Sequence, residues 1–413
     1  MRLKLFFLSL LISVQGFAQQ NSEPAVILIS LDGFRYDYVE KFQPENLTKF
    51  IQNGVAAKSL IPSFPTKTFP NHYTIATGLR PEHHGIVDNS FYDPTKDQTY
   101  AIRNREAVVD GTWYGGTPLW VLAEQNGIKA ASYFFVGSEA DVQGVRPSYY
   151  YDYDGRINNL TRVSEVFKWL QMPDSLRPRM ITLYFSDMDD EGHAFGASND
   201  QKISDKLEEL DRVLGALFEG VKSLDQDVNI IIVSDHGMAD VTVDSYLPLD
   251  QITEGVKGRV VNNGALAHIY LEDPSQKEAV IRSVDKKAKG FRVFDPAEGD
   301  YYGDVSKHGD RIGDVVVLAD LGYYFMENEE YREVIARRMQ IDGTAIRGTH
   351  GFSKEYEEMH GIFYAQGPQL KSGVEIDSFD NIHVFPLICE ILGLPVPADI
   401  DGKIEVLEPL LKD

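Results

Sequence analysis

The chain has 413 residues and a formal net charge of -23. This length exceeds what a single hydrophobic core usually supports, so we expect one large domain with a sizeable insertion, or two domains. The negative charge argues against binding a nucleic acid polymer, because both partners would repel each other. It does not exclude a small phosphate substrate, because bound metal ions can reverse the charge locally.

The N-terminus resembles a secretory signal peptide. Arg2 and Lys4 precede a short apolar segment, and small residues follow at 16–18, so we predict a signal peptide over 1–18 and a mature chain that starts at Gln19. This predicts export to the periplasm or the extracellular space. A membrane anchor is the alternative, but the apolar segment is shorter than the roughly 20 residues a spanning helix needs. The only cysteine, Cys389, cannot form an intrachain disulfide.

The rest of the chain alternates strand-like and helical segments, which is typical of an α/β fold with a mostly parallel sheet flanked by helices. In chain order, the patterns predict a strand at 26–31, a helix at 44–50, a strand at 56–61, a helix at 117–124, a strand at 180–185, a helix at 204–218, and strands at 229–233 and 361–365. The segment 241–342 has shorter, mixed runs. We interpret it as a smaller inserted subdomain within a catalytic core formed by 24–240 and 343–410.

Polar side chains with metal-binding chemistry lie next to four of the predicted strands. They are Asp32, Asp189, His193, Asp235, His236 and His350. In open α/β sheets, ligands bind beyond the carboxyl ends of the strands, so these side chains are expected to converge. Each one alone could be a helix cap or a turn residue. Together they would form two three-ligand sites with an open position each, as catalytic zinc requires, and the imidazoles favour zinc over magnesium or calcium.

A further segment supplies a candidate nucleophile. Pro70 suits the first turn of a helix, which would place Thr68 at or near the helix N-terminus, where backbone N–H groups favour an anion. Coordination to a metal would lower the pKa of the Thr68 hydroxyl and activate it. The alternative is that Thr68 is only an N-cap.

The chain resembles the nucleotide pyrophosphatase/phosphodiesterase family of the alkaline phosphatase superfamily. The matching segments are 32–35, 65–73, 85–89, 189–193, 234–237 and 348–351, in the family's order and approximate spacing. The segment 381–394 also looks like the family's last core helix. The resemblance therefore implies an alkaline-phosphatase-like core and an enzyme that hydrolyses phosphate diesters.

The resemblance also implies roles for individual residues. One zinc ion would be held by Asp32, Thr68, Asp235 and His236, and a second by Asp189, His193 and His350. Thr68 would be the nucleophile, and Asn89 would bind a phosphate oxygen together with the backbone N–H of Phe69. Tyr153 resembles the family's base-stacking tyrosine, with the ring of Phe69 facing it. His360 is a second candidate near His350 that fits less well, and His72, His83 and His84 are expected to be structural or to support the ligands.

Several functions remain open at this point. Nucleotides are the expected substrates, and a lysophospholipid or glycerophosphodiester is the main alternative within the family. A monoesterase or sulfatase is a further alternative, but a monoester generally needs an additional cation. The matched segments supply no obvious basic group for this except Arg35, which the family pattern places near Asp32 without a phosphate role. A non-catalytic zinc-binding surface protein is the alternative outside enzymes, and it would need neither Thr68 nor Asn89.

Overall fold

The structure is a computed structural model that describes residues 23–298 and 301–412. The predicted signal peptide at 1–18 lies outside the described residues. Within the described ranges, no helix has the length and hydrophobicity that crossing a bilayer requires.

An eight-stranded sheet forms the centre of the molecule. Its strands, from one edge to the other, are Val374–Ile376, Val55–Ala57, Phe363–Gln366, Val228–Val233, Ala25–Leu31, Met180–Phe185, Ala130–Tyr133 and Tyr149–Tyr151. Neighbouring strands are parallel, except that Phe363–Gln366 is antiparallel to both of its neighbours. Every residue of the strand Ala25–Leu31 is buried, as expected for a strand covered on both faces. The expected mostly parallel α/β sheet is confirmed.

Helices cover both faces of this sheet. The α-helices are Tyr38–Phe42, Glu45–Gln52, Thr68–Thr77, Pro81–His84, Arg105–Val109, Leu119–Gln125, Asn159–Leu170, Asp187–Phe195, Asp200–Lys222, Leu249–Ile252, Lys277–Asp285, Gly309–Ile312, Glu329–Asp342 and Val384–Leu392. Asp200–Lys222, Glu45–Gln52 and Asn159–Leu170 pack in one hydrophobic cluster, and Val384–Leu392 and Leu119–Gln125 in the cluster on the opposite face. The result is a three-layer core.

Each predicted helix or strand overlaps an observed element of the same type, with one exception. The strand at 180–185 is confirmed residue for residue, and the predicted helix at 204–218 lies within Asp200–Lys222. The strand predicted at 56–61 is wrong as a single element, because Val55–Ala57 joins the central sheet whereas Leu60–Ile61 pairs with Phe379–Asp380 in a separate sheet. The chain leaves the first sheet at the exposed Lys58, whose ammonium group contacts Asp377.

A second sheet lies in the segment predicted to be inserted. Its four antiparallel strands, in order, are Gly258–Asn262, Leu266–Leu271, Val315–Ala319 and Phe291–Phe294. One face of this sheet has its own hydrophobic cluster, whereas Leu266, Val316 and Leu318 on the other face pack in a cluster of the central sheet. The chain enters and leaves this region through an antiparallel pair, Ala239–Thr242 with Ile346–Thr349. Two further two-stranded pairs lie outside these sheets. Tyr246–Pro248 pairs with Tyr324–Met326, and Ser90–Asp93 pairs with Gln98–Ala101. The exact subdomain boundaries stay a prediction.

Candidate metal centre and active site

Three adjacent strands of the central sheet direct polar residues to one edge. Asp32 follows Ala25–Leu31, and Asp235 follows Val228–Val233 after one intervening residue. Beyond the third strand, the helix Asp187–Phe195 begins and carries both Asp189 and His193, one turn apart. Because the three strands are parallel neighbours, their carboxyl ends meet, and the side chains lie within contact distance of each other.

His236 lies at the middle of this group. Its Nε2 atom is 3.2 Å from Oγ1 of Thr68, 3.0 Å from Oδ2 of Asp235 and 3.5 Å from Oδ1 of Asp32. Thr68 is the first residue of the helix Thr68–Thr77, and Lys67 occupies the N-cap position. The alternative that Thr68 is only an N-cap is therefore wrong, because its hydroxyl faces the histidine and the carboxylates.

His350 connects this group to the second one. Its ring stacks on His236 with 3.6 Å between the ring centroids. Its Nε2 atom is 3.9 Å from Oδ1 of Asp189, and Nε2 of His193 is 3.3 Å from the same oxygen. The structure thus brings together all seven residues that the sequence suggested as metal ligands.

The three histidines of the centre share one orientation. Each places Nδ1 against a backbone carbonyl: His193 against Gly348 at 2.8 Å, His236 against Gly237 at 2.8 Å, and His350 against Thr66 at 2.9 Å. A carbonyl oxygen only accepts hydrogen bonds, so Nδ1 must carry the proton. The lone pair of each Nε2 then faces the centre, as in histidines that bind metal ions.

The carboxylates of the centre are also oriented by the protein. Oδ2 of Asp32 accepts a hydrogen bond of 2.6 Å from the hydroxyl of Tyr184, and Oδ1 of Asp235 accepts one of 3.2 Å from the N–H of Gly33. The remaining oxygens, Oδ1 of Asp32 and Oδ2 of Asp235, are buried and accept no hydrogen bond, and the same holds for Oδ1 of Asp189. Buried anionic oxygens without donors are costly, so this donor set fits divalent cations.

The electrostatics of the centre support the same conclusion. Burial raises the pKa of Asp32 well above its usual range, and the nearby Asp235 and Asp189 raise it further; burial also raises the pKa of Asp189. Burial would raise the pKa of Asp235 as well, but His236 and His72 hold it well below its usual value. Burial lowers the pKa of His350 far below its usual value, which keeps the ring neutral. The raised pKa values of Asp32 and Asp189 are typical of crowded carboxylates that lack enough positive charge.

The side chains whose potential metal-ligand atoms lie closest together are not grouped as the family resemblance implies. Asp189, His236 and His350 have donor atoms within 4.8 Å of one another, and so do Asp32, His72 and Asp235. His72, however, has both ring nitrogens engaged: Nδ1 is 2.9 Å from the carbonyl of Thr68, and Nε2 is 2.7 Å from Oγ of Ser30. Its Nδ1 also lies 3.3 Å from Oδ2 of Asp235, so the contacts of His72 are those of a group that orients a ligand.

Close approach of two ligand segments depends on Gly33. This residue has φ of +64°, and a Cβ atom there would lie 2.8 Å from Cα of Asp189. Any side chain at this position would push apart the segments that carry Asp32 and Asp189.

Asn89 lies beside the candidate nucleophile. The backbone N–H of Phe69 donates a hydrogen bond of 2.9 Å to Oδ1 of Asn89. The Nδ2 group is therefore the end of the Asn89 side chain that can donate to a phosphate oxygen. Here the Phe69 N–H orients Asn89, and its expected contact with a phosphate oxygen stays a prediction.

A buried contact between Asp88 and His268 connects Asn89 to the inserted sheet. The N–H of Asn89 bonds to Oδ1 of Asp88, and Oδ2 of Asp88 is 2.9 Å from Nε2 of His268, on the strand Leu266–Leu271. Both side chains are fully buried. Sequence reasoning missed this pair because the two residues are 180 positions apart, and no local pattern links them.

An aromatic cavity of about 310 Å³ opens beside Thr68. Phe69 and Tyr153 both line it, as do Asp32 and Asp189. The ring of Tyr153 is 48% exposed and packs edge-on against Tyr184, with 6.1 Å between the ring centroids. The two aromatic residues that the sequence suggested for base stacking therefore share one cavity next to Thr68.

A family profile described as "Type I phosphodiesterase / nucleotide pyrophosphatase" matches residues 26–353. The chain belongs to this family. It is 32% identical over 405 residues to ectonucleotide pyrophosphatase/phosphodiesterase family member 1 of Mus musculus, covering 94% of this chain and 43% of the relative. It is 35% identical over 416 residues to a venom phosphodiesterase of Macrovipera lebetinus, covering 96% of this chain and 46% of the relative. The chain thus spans less than half the length of these relatives.

A solved structure of a family member has the same fold. Murine ectonucleotide pyrophosphatase/phosphodiesterase 5, in an inactive threonine-to-alanine form in complex with AMP, matches with a TM-score of 0.84 and 26% identity. The match covers 94% of this chain and all of that chain. The alkaline-phosphatase-like fold expected from the sequence is confirmed.

The other histidines near the matched family segments lie outside the metal centre. His360 places Nδ1 2.9 Å from Oγ of Ser59 and Nε2 2.9 Å from the carbonyl of Lys354. His83 pairs with Asp401 at 2.8 Å. These contacts are structural, as the sequence suggested for His83, and they leave His360 without a role as a ligand.

Sequence reasoning overlooked one cationic side chain, that of the residue directly before Thr68. Lys67 is 6% exposed, and burial lowers its pKa. It lines a cleft together with His350, and it passes so close to Gly351 that a Cβ atom there would lie 2.3 Å from Cε of the lysine. Arg35, by contrast, is held by Asp37 through two contacts of 2.8 Å. Lys67 is therefore a second basic group of the matched segments, beside Arg35, and it lies next to His350.

Proposed function

We propose that this protein is a two-zinc phosphodiesterase and nucleotide pyrophosphatase that forms a covalent intermediate on Thr68. One observation carries the proposal: the Thr68 hydroxyl, at a helix N-terminus, lies 3.2 Å from His236 within a centre of three aspartates and three histidines. A purely structural metal site needs no free hydroxyl among its ligands. Membership of the phosphodiesterase family supports the same reaction class.

The ligand assignment follows the residues of the matched segments. Asp32, Thr68, Asp235 and His236 would hold one zinc ion, and Asp189, His193 and His350 the other. When bound, zinc would lower the pKa of the Thr68 hydroxyl and neutralise charge on the phosphate and the leaving oxygen.

The remaining chemistry belongs to the chain's own side chains. The Thr68 hydroxyl releases its proton to solvent as its oxygen forms a bond to phosphorus. The bond from phosphorus to the leaving oxygen then breaks, and that oxygen keeps the electron pair. Nδ2 of Asn89 donates to a non-bridging oxygen, whose charge grows in the transition state. Water then cleaves the phosphothreonine diester and restores the Thr68 hydroxyl.

Nucleotides are the proposed substrates because of the aromatic cavity. Two rings beside a nucleophile can hold a nucleobase between them, and stacking contributes roughly 1–3 kcal/mol per base. The murine structural relative was determined with AMP. We also propose that the protein is exported, based on the N-terminal pattern and on relatives described as an ectoenzyme and a venom enzyme.

A lysophospholipid or glycerophosphodiester is the second candidate substrate. The aromatic cavity also contains Asp190 and Glu139, and carboxylates next to aromatic rings can hold a quaternary ammonium group. Glu139, however, pairs with Arg105, which reduces the negative charge available to such a ligand.

A substrate panel tests the function. We expect a nucleoside triphosphate, a dinucleoside polyphosphate and a nucleotide aryl ester to be hydrolysed with kcat/KM well above that of glycerophosphocholine or of p-nitrophenyl phosphate. The diester preference follows because a monoester carries one more negative charge into a centre that already contains three carboxylates. Initial rates at matched pH give the ranking. Faster hydrolysis of the choline diester would favour the lipid alternative, and faster hydrolysis of the monoester would place the enzyme in a different branch of the superfamily.

Replacement of Tyr153 by alanine tests the nucleobase position. We expect kcat/KM for a dinucleotide to fall by about tenfold, because the lost stacking is worth roughly 1–3 kcal/mol. Hydrolysis of bis(p-nitrophenyl) phosphate, which has no base, should change little. The matched control is Tyr150→Ala, an exposed tyrosine of the neighbouring strand that does not line the cavity. Equal losses on both substrates would contradict stacking on Tyr153.

A further inference from the structure

The inserted segment holds both ends of the segment 85–93, which carries Asn89. The guanidinium group of Arg311 donates a hydrogen bond of 2.8 Å to the carbonyl of Gly85 and lies 3.0 Å from Oδ2 of Asp93. Arg311 and Asp93 are both buried, so solvent and salt screen this contact little. One side chain of the inserted segment thus fixes the start and the end of the segment that carries Asn89.

The backbone on the C-terminal side of Asn89 is also bound to the inserted segment. Nδ2 of Asn263 donates a hydrogen bond of 2.8 Å to the carbonyl of Ser90. The N–H of Tyr92 donates one of 3.0 Å to the hydroxyl of Tyr270, a residue of the second sheet. The path of the backbone directly beyond Asn89 therefore depends on side chains of the inserted segment.

The contact closest to Asn89 itself is made through His268. Nε2 of His268 is 2.9 Å from Oδ2 of Asp88, whose Oδ1 accepts a hydrogen bond of 2.6 Å from the N–H of Asn89. Nδ1 of His268 lies 3.0 Å from the carbonyl of Ile312, which only accepts, so Nδ1 carries a proton. Asp88 and His268 are fully buried, so a partner lost from this chain of contacts would not be replaced by bulk water.

Asn89 is therefore fixed through its side chain and through its backbone. The N–H of Phe69 holds Oδ1 of the side chain at 2.9 Å, beside Thr68, and Asp88 holds the backbone N–H. A donor to an oxygen that gains charge must lie about 2.7–3.1 Å from that oxygen. A misplacement of about 1 Å can slow a reaction by about 100-fold, so a shift of this backbone would weaken catalysis.

We infer that His268 is a positioning residue for the reaction: through Asp88 it holds Nδ2 of Asn89 at the distance that binding a phosphate oxygen requires. The inference rests on the proposed function, in which Asn89 donates to a non-bridging oxygen. It deepens that function by assigning a role to the inserted segment, which sets the geometry of Asn89 without itself touching the substrate at this point.

Two amide variants separate the two bonds of His268. His268→Gln places an amide near the position of Nε2 and can keep the bond to Asp88, whereas His268→Asn reaches only the position of Nδ1 and loses that bond. With the p-nitrophenyl ester of thymidine 5′-monophosphate, we expect kcat to fall by about 10- to 100-fold in His268→Asn and by less than about threefold in His268→Gln. KM should change by less than about threefold in both variants, because the contact of Asn89 with phosphate strengthens in the transition state.

Asn89→Ala gives the decisive comparison, because a positioning residue acts only through the group that it positions. Removal of this donor alone should lower kcat by about 100- to 1,000-fold. If His268 acts through Asn89, His268→Asn should cause little further loss of kcat in the Asn89→Ala background. General damage to the fold would instead lower kcat by the same factor with and without Asn89.

Ile269→Val is the matched control for destabilisation of the second sheet. Ile269 follows His268 on the same strand, so its side chain lies on the opposite face, where it packs in the cluster of the second sheet. This change should lower the thermal unfolding midpoint but leave kcat within about twofold of the wild-type value. If His268→Asn does not fold, Tyr270→Phe tests the same segment, because it removes the acceptor of the Tyr92 N–H. Its expected loss of kcat is about three- to tenfold and should also disappear in the Asn89→Ala background.

The outcomes separate the inference from the proposed function. A loss of kcat in His268→Asn that disappears without Asn89 supports the positioning role. Wild-type kcat in folded His268→Asn, or an equal loss with and without Asn89, would overturn the inference while the proposed function stands. If Asn89→Ala hydrolyses the ester at the wild-type rate, or if the wild-type enzyme does not hydrolyse it, the proposed function itself fails, and the inference fails with it.

Discussion

Replacing Thr68 with alanine is expected to lower kcat on a nucleotide diester by about 10⁴-fold or more, as removal of a covalent nucleophile generally does. The hydroxyl of Thr68 lies 3.2 Å from Nε2 of His236. Thr68→Ser should keep part of the activity, because it retains the oxygen. Steady-state rates and a rapid-quench search for a nucleotidyl adduct on Thr68 measure both effects.

The control for this variant is metal content. Six protein ligands remain in Thr68→Ala, so zinc should stay bound at close to the wild-type level, and the thermal unfolding midpoint should change little. A variant that has lost zinc would lose activity for another reason. Near-wild-type turnover by Thr68→Ala, with metal bound, would show that the covalent mechanism is wrong.

Chelation is the second change with a large expected effect. We expect about two zinc ions per chain, complete loss of activity after treatment with a chelator, and recovery when zinc is added back. Manganese is a possible substitute in such a ligand set. Removal of the ions should also lower the unfolding midpoint, because buried oxygens of Asp32, Asp189 and Asp235 lose the charge that balances them. Elemental analysis and thermal unfolding with and without added zinc give the two readouts.

Two histidine variants sharpen this test. His193→Ala should lower the zinc content by about one ion per chain, because His193 is among the proposed ligands of one ion. His360→Ala should retain both ions, because the two ring nitrogens of His360 bond to Ser59 and Lys354 outside the centre. Full activity in a metal-stripped sample, or equal zinc loss in the two variants, would contradict the assigned centre.

The core of the fold could be predicted from the sequence because its strands are buried on both faces. Continuous apolar runs such as 180–185 have one simple interpretation in an α/β chain. Such runs do not encode direction, so the antiparallel orientation of Phe363–Gln366 could not be foreseen from its composition. The break between Val55–Ala57 and Leu60–Ile61 depends on partners more than 300 positions away, which no local pattern contains.

The candidate site also combines residues that could be predicted from local patterns with residues that could not. Asp32, Asp235 and His236 follow the ends of strands closely, so their convergence could be predicted from the order of elements alone. Tyr184, which donates to Asp32, lies inside an apolar strand, where a tyrosine is typical of core packing. Lys67 lies in a matched segment, but its burial against Gly351 depends on a contact far along the chain, which no local pattern contains.

The order of the ligands along the chain has a consequence for protein synthesis. The ribosome makes Asp32, Asp235 and His236 before the inserted sheet, and His350 only after it. Asn89 also acquires its buried support from His268 at a late stage, since that residue belongs to the inserted sheet. A nascent chain would therefore carry most of the ligands long before it could assemble the centre. Active enzyme would form only once the segment around His350 had emerged and packed against Thr66.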